Sequence, residues 1–109
     1  MENSFYIKYF DKGKNKEIYL PLEKMIGMLL ALEININFQI EALKAQAIVI
    51  RTNLLKNSKI YRSYKIKPLE AYKDIWGSQY KANVEKTDKA VKDTQGMVMV
   101  FDNKPIDAP

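Results

Sequence analysis

Leu22-Glu23-Lys24-Met25-Ile26-Gly27-Met28-Leu29-Leu30-Ala31-Leu32-Glu33, entered through Leu20-Pro21 and left through Ile34-Asn35, is the stretch around which the rest of the chain is arranged. Proline suits a first helical turn because the N–H it lacks would be unpaired there anyway, and Glu23 suits the positive end of the helix dipole. Almost every other position is apolar. The spacing therefore predicts a helix from Pro21 to near Ile34, buried on most of its faces. Its last acid is the exception. At about 100° per residue, Glu33 falls within roughly 40° of Leu22, Ile26 and Leu29 on the helical wheel, which points it at the core. An ionised carboxylate in such a place either finds cations and donors or takes up a proton near neutral pH. A carboxylic acid that keeps its proton at pH 7 is what general acid catalysis requires. The competing reading is a glutamate at a helix end that turns to solvent.

Upstream, Phe5-Tyr6-Ile7-Lys8-Tyr9-Phe10 and Glu17-Ile18-Tyr19-Leu20 flank the turn-rich Asp11-Lys12-Gly13-Lys14-Asn15-Lys16, a pattern that predicts a β-hairpin. Downstream, Asn35-Ile36-Asn37 breaks the helical period, and Phe38 to Leu55 resumes it as a second helix. Leu43, Ala47, Ile50 and Leu54 form one stripe of that helix, while Ala42, Ala45, Ile48 and Val49 leave few polar faces, so it too is expected to be mostly buried. Lys44 and Arg51 are seven residues apart and share a face at roughly 80° to 100° from Leu43. Two cations on so apolar a helix call for an anionic partner, unless their stems snorkel along a solvated edge. Gln39, Gln46 and Asn53 form a second polar stripe, expected to meet solvent.

From Lys56 to Ala82 the chain is basic and aromatic, with Tyr61, Tyr64, Tyr72, Trp76 and Tyr80 set among lysines and Arg62. Its poor periodicity predicts a long excursion with short strands or turns at most. Such a mixture either stacks on bases or sugar rings or packs as a loop on its own domain. Asn83 to Thr94 reads as a third helix closed by Gly96. Met97 to Phe101 follows as a strand, Asp102-Asn103-Lys104 as a turn, and Pro105-Ile106-Asp107-Ala108 as the start of a return strand. The expected fold class is α+β: an N-terminal β-hairpin, two packed helices carrying the site, a third helix and a C-terminal β-hairpin cut short. Residues 1–109 read as a single, truncated domain.

With 109 residues, 47% of them hydrophobic, the chain has the makings of one modest core. Its net charge of +5 favours polyanionic surroundings such as nucleic acid, anionic lipid or a cell-wall polymer. The chain has no cysteine and no histidine. That removes disulfides, thiol nucleophiles, histidine bases and nearly every transition-metal site, so no metal or cofactor is expected. Chemistry must rest on carboxylates, lysine, arginine, tyrosine or hydroxyls. Residues 1–16 lack the apolar core of a signal peptide, and no run approaches the roughly 18 apolar residues a membrane span needs. No helix carries a cluster of base-reading residues, so nucleic acid is not an expected partner.

Leu20-Pro21-Leu22-Glu23, Glu33, the block Glu41-Ala42-Leu43-Lys44-Ala45-Gln46-Ala47, Arg51-Thr52, Ala90-Val91 to Gly96, and Asn103-Lys104-Pro105-Ile106-Asp107-Ala108 together resemble the stage II sporulation protein D domain family. The family includes the peptidoglycan lytic transglycosylase of sporulating bacteria and amidase enhancer proteins. The resemblance runs from Leu20 to Ala108, and its specific part is Glu41 to Thr52. It implies that Glu33 is the catalytic acid and that Lys44 and Arg51 line the same cleft as substrate-binding cations. It implies peptidoglycan glycan strands as substrate, other cell-wall or sporulation proteins as partners, and an extracytoplasmic location. The alternative within the same fold is a non-catalytic cell-wall-binding or amidase-enhancing module. An open sheet edge adds a second copy of the chain as a further expected partner.

The chain also departs from the family pattern. Leu32 precedes the acid where the family has small residues, Ile34-Asn35 follow where it has Met-Pro, and Ile48, Val49 and Ile50 stand where it has alanines. The family continues past the Pro-Ile-Asp-Ala strand into an aromatic-His-Ser segment and a glycine pair. The sequence ends at Pro109, and on this basis it is expected to be a fragment with an incomplete cleft.

Overall fold

The computed structural model describes residues 6–11, 14–56, 66–101 and 104–105. Strands β1 (Tyr6–Asp11) and β2 (Lys16–Pro21) form the expected hairpin, antiparallel in a register from Tyr6 opposite Pro21 to Asp11 opposite Lys16. Strand alternation gives it an inner and an outer face. Ile7, opposite Leu20, meets the core together with Ile18, whereas Lys8, opposite Tyr19, holds its ammonium 5.3 Å from that ring's centroid. Asn15 in the turn has φ 52°, a left-handed conformation that asparagine enters more readily than most residues.

Helix α1 (Leu22–Glu33) follows β2 without a loop, because Pro21, with φ −55° and ψ 142°, serves both as the last strand residue and as the helix N-cap. Leu22, Met25, Ile26, Gly27, Met28, Leu29 and Leu30 are all buried, so α1 is apolar around its circumference and takes the centre of the molecule. It ends where Ile34 turns to extended backbone while donating its N–H to the Leu30 carbonyl at 3.1 Å. The Asn35 side chain then accepts the Asn37 N–H at 2.9 Å, a local turn that competes with further helix. Helix α2 (Ile40–Lys56) buries Leu43, Ala47, Ile50 and Leu54 along the expected stripe.

After Ile66, a 3₁₀ turn (Leu69–Tyr72), the short helix α3 (Lys73–Trp76) and a second 3₁₀ turn (Gly77–Gln79) lead into helix α4 (Tyr80–Asp93). Helices α1, α2 and α4 pack against one another, and the hairpin lies against α1. The architecture is α+β, as expected, but helix α4 begins at Tyr80 rather than Asn83. The reason is an aromatic ladder spaced by four. Tyr72 stacks on Trp76 at 4.7 Å between centroids, Trp76 meets Tyr80 at 6.3 Å, and Trp76 packs on the core. The described part of the basic, aromatic excursion therefore folds onto its own domain, while residues 57–65, with Tyr61 and Tyr64, lie outside the described residues. Val100–Phe101 pairs antiparallel with Lys104–Pro105. The turn residues 102–103 and the return strand beyond Pro105, on which part of the expected C-terminal hairpin falls, lie outside the described residues. Among the described residues no helix is long and apolar enough to cross a membrane.

Candidate functional site

Glu33 is the last residue of α1, and it is exposed. The wheel position that aligns it with Leu22, Ile26 and Leu29 is retained, but the helix stops there and the chain turns away, so among the described residues the side chain is left exposed. Of the two readings of the sequence, the helix end that reaches solvent is the one observed. The carboxyl is nonetheless partly desolvated, which raises its pKa above the ordinary glutamate value, and a hydrogen bond donated by Gln46 Nε2 to Oε1 at 3.4 Å opposes that rise. No basic residue occupies the last turn of α1, and an acid there faces the negative end of the helix dipole, which also favours the protonated form.

The grouping of Glu33, Lys44 and Arg51 in one cleft, which the resemblance implies, is not what the structure shows. Gln46 lies two residues, or roughly 200°, around α2 from Lys44, so the face of α2 that meets Glu33 is not the face that carries the cations. Lys44 and Arg51 do share a face, and it looks towards the C-terminal half of α4. Lys44 Nζ lies 3.3 Å from Glu41 Oε2 and 3.6 Å from Asp93 Oδ2, with the lysine side chain 27% exposed. Lys89 reaches the same Asp93 carboxylate at 2.9 Å. The Lys89 hydrogen bond, with Lys44 behind it, holds the Asp93 carboxyl below the ordinary aspartate value.

Arg51 is 1% exposed. Its Nε and Nη2 donate to the two carboxylate oxygens of Glu23 at 3.0 and 2.7 Å, a bidentate pair between the second helix and the first turn of α1. Nη1 donates to the Met97 carbonyl at 3.0 Å, and Nη2 also reaches the Val91 carbonyl and Thr94 Oγ1, each at 3.3 Å. A guanidinium offers five N–H donors, so little of this one is left for a ligand. The open cleft cation expected at Arg51 is thus corrected to a buried junction joining α1, the C-terminal end of α4 and the segment after it. Thr52 completes the junction: its Oγ1 donates to the Ile48 carbonyl at 2.7 Å and accepts the Met99 N–H at 2.9 Å. An arginine on the last carbonyls of α4 also complements that helix's dipole.

Three residues central to this geometry have other meanings in the sequence. Gln46 belongs to a stripe expected to meet solvent, and the structure makes it the hydrogen-bond partner of Glu33. Glu23 reads as a dipole-matching acid, and it is also the counter-ion of Arg51. Lys86 on α4 donates through Nζ to the Ile36 carbonyl at 2.8 Å and to the Phe38 carbonyl, bracing the turn that follows Glu33. None of these contacts has a sequence spacing that announces it, because each bridges two elements. Among the described residues no three histidine, cysteine or acidic side chains come together as a metal cluster would require.

Comparison with known proteins supplies the context for this geometry. The family model described as Stage II sporulation protein (SpoIID) matches residues 11–101. Two curated relatives named Stage II sporulation protein D are similar to the chain. The one from Bacillus amyloliquefaciens is 34% identical over 106 aligned residues, covering 82% of this chain and 30% of the relative. The one from Bacillus subtilis (strain 168) is 31% identical over 106, with the same 82% and 30% coverage. The chain thus spans about 30% of the length of the curated relatives it matches. The residues that build the Arg51 junction and those that flank Glu33 all fall within the matched region, and the chain belongs to the SpoIID family.

Proposed function

We propose that this domain carries out lytic transglycosylase chemistry on peptidoglycan, with Glu33 as both proton donor and proton acceptor. In the first step the Glu33 carboxyl gives its proton to the glycosidic oxygen as the C1–O bond breaks. In the second the resulting carboxylate takes the proton of the muramyl C6 hydroxyl as that oxygen bonds to C1, leaving a 1,6-anhydro sugar and regenerating the acid. No water is consumed and no second carboxylate is needed, unlike ordinary glycoside hydrolysis. The observation that carries this reading is a carboxyl within reach of solvent whose pKa is raised by desolvation and whose hydrogen-bond partner is a neutral amide.

Gln46 orients the carboxylate between the two steps. Lys44, partly exposed and, among the described residues, held by surface pairs of small energetic worth, can turn towards lactyl or peptide carboxylates of the glycan. Arg51 acts at a distance, by holding α1 and α4 in place. With peptidoglycan as substrate the domain works on the extracytoplasmic side, among other cell-wall or sporulation proteins. The test is incubation of the protein with purified peptidoglycan, followed by mass spectrometry. Anhydromuramyl products that disappear in Glu33→Gln are expected. Equal wall binding by both proteins with no product from either favours the non-catalytic, amidase-enhancing module instead.

A further inference from the structure

We propose that the groove between α1 and α4 is a docking site for one amphipathic helix of a partner protein, a helix that presents an acid in its first turn and a base one turn later. The groove encloses about 550 Å³ and lies between the N-terminal part of α1 and the stretch from Tyr80 to Gln95. Met28, Leu69, Val84 and Val91 give it apolar walls. Lys24, Glu70, Asp88 and Lys92 also line it, all of them exposed, and among the described residues none has a hydrogen bond or ion pair through its side chain. Elsewhere the protein pairs its charges, Arg51 with Glu23 and both Lys44 and Lys89 with Asp93. Unpaired charges of both signs around an apolar groove are complementary to a partner that brings the opposite set.

The form of the occupant follows from the walls. Both long walls are helices, whose backbone groups bond internally, so the groove offers no strand edge to which an extended chain could add. A polypeptide that enters it must satisfy its own backbone, and a helix does so. The stretch from Tyr80 to Gln95 rises about 22 Å, room for a helix of about 15 residues. Helices α1 and α4 run antiparallel, because Arg51 ties the first turn of α1 to Val91 near the end of α4, and Lys86 ties the middle of α4 to the turn after α1. Lys24 and Lys92 therefore mark one end of the groove, and Asp88 follows one turn further in. A helix carries acids most favourably in its first turn. That turn belongs at Lys24 and Lys92, with a base facing Asp88, which sets the partner helix parallel to α1. Partial burial raises the pKa of Asp88, and such a partner supplies the cation that the described residues do not. A second copy of this chain fits less well, since α1, α2 and α4 already bury their apolar faces against one another.

Glu33 ends α1 and does not line this groove, so docking here is independent of the glycan chemistry above. The experiment is NMR titration of the ¹⁵N-labelled 109-residue chain with two designed, end-blocked helical peptides of about 15 residues. Both carry the same leucine face. In one, glutamates occupy the first turn and lysines the second; in the other the two are exchanged. Saturable shifts are expected with the first peptide at the amides of Gly27, Leu69, Val84 and Asp88. The second is expected to bind about tenfold more weakly, as exposed charge pairs turned from attraction to repulsion require. The triple variant Lys24→Glu, Asp88→Lys, Lys92→Glu alters exposed side chains alone and is expected to reverse the preference. No saturable shift in the groove, equal binding of the two peptides, or a preference unchanged in the triple variant overturns the proposal. Self-association of the unliganded chain through the same amides overturns it too, because a second copy is then the occupant.

Discussion

Helix α1 carries an acid near each end, and the two live in opposite surroundings. Glu23 is gripped by both arms of a guanidinium that is itself buried and further bonded to Val91, Thr94 and Met97. Glu33 ends the same helix in the open, with one long hydrogen bond from an amide and a carboxyl that holds its proton more tightly than usual. A carboxylate clamped by both arms of a buried guanidinium is committed to holding two helices together. One that is partly desolvated and held by a single long hydrogen bond is better suited to giving up a proton. The difference separates an acid committed to the fold from the acid proposed to react, both on one helix of twelve residues.

If that contrast is right, the largest effect on stability lies at the Glu23 end. Arg51→Ala takes the donors from a partly exposed carboxylate and from the Val91, Thr94 and Met97 acceptors, and leaving buried acceptors unpaired costs about 1–3 kcal/mol, a large part of the 5–15 kcal/mol typical of a whole domain. Urea denaturation is expected to show that loss, and Arg51→Lys is expected to recover little of it because an ammonium cannot grip both oxygens at once. A cost under about 1 kcal/mol would place the pair among ordinary surface contacts.

Next in size is the brace behind Glu33. Lys86→Met removes an ammonium from the Ile36 and Phe38 carbonyls, and hydrogen bonds to charged groups contribute about 1.5–3 kcal/mol. The loss is expected in denaturation, together with faster amide exchange in residues 34–38. Unchanged exchange there would mean that the turn holds its shape through Asn35 alone.

The smallest effect is on Glu33 itself, and it has a sign. The folded protein raises this pKa, so the contribution of the protonated carboxyl to stability is full below the unfolded value and is lost as pH rises through the folded one. Glu33→Gln removes a group that is unfavourable when ionised. The variant is therefore expected to melt higher than the parent at pH 7, and the gap is expected to shrink at pH 4. A gap that grows on acidification contradicts the raised pKa.

The hairpin, the two long helices and the buried stripe of α2 were legible because each rests on a period within one segment. Ile7, Ile18 and Leu20 alternate, and Leu43, Ala47, Ile50 and Leu54 recur at helical spacing. The start of α4 was hidden because its cue, Tyr72, Trp76 and Tyr80 at intervals of four, is interrupted by Gly77 at φ 54°. The helical wheel placed Glu33 correctly by angle and wrongly by depth, since a wheel has no axis and carries no record of where the helix ends. Arg51 shows the reverse failure. Its angle beside Ala47 already put it near the buried stripe, but the acid able to accompany it there lies on another helix, 28 positions away. Pairings across elements are set by how the helices pack, and Gln46 with Glu33 and Lys86 with the 36–38 carbonyls belong to that class.

The most direct measurement is a carbon-detected NMR titration of the Glu33 side-chain carboxyl. A midpoint above the ordinary glutamate value of 4.5 is expected, rising further in Gln46→Leu, where the opposing hydrogen bond is gone. A midpoint at or below that value, unmoved by Gln46→Leu, would mean that the acid at the open end of α1 holds its proton no better than any surface glutamate.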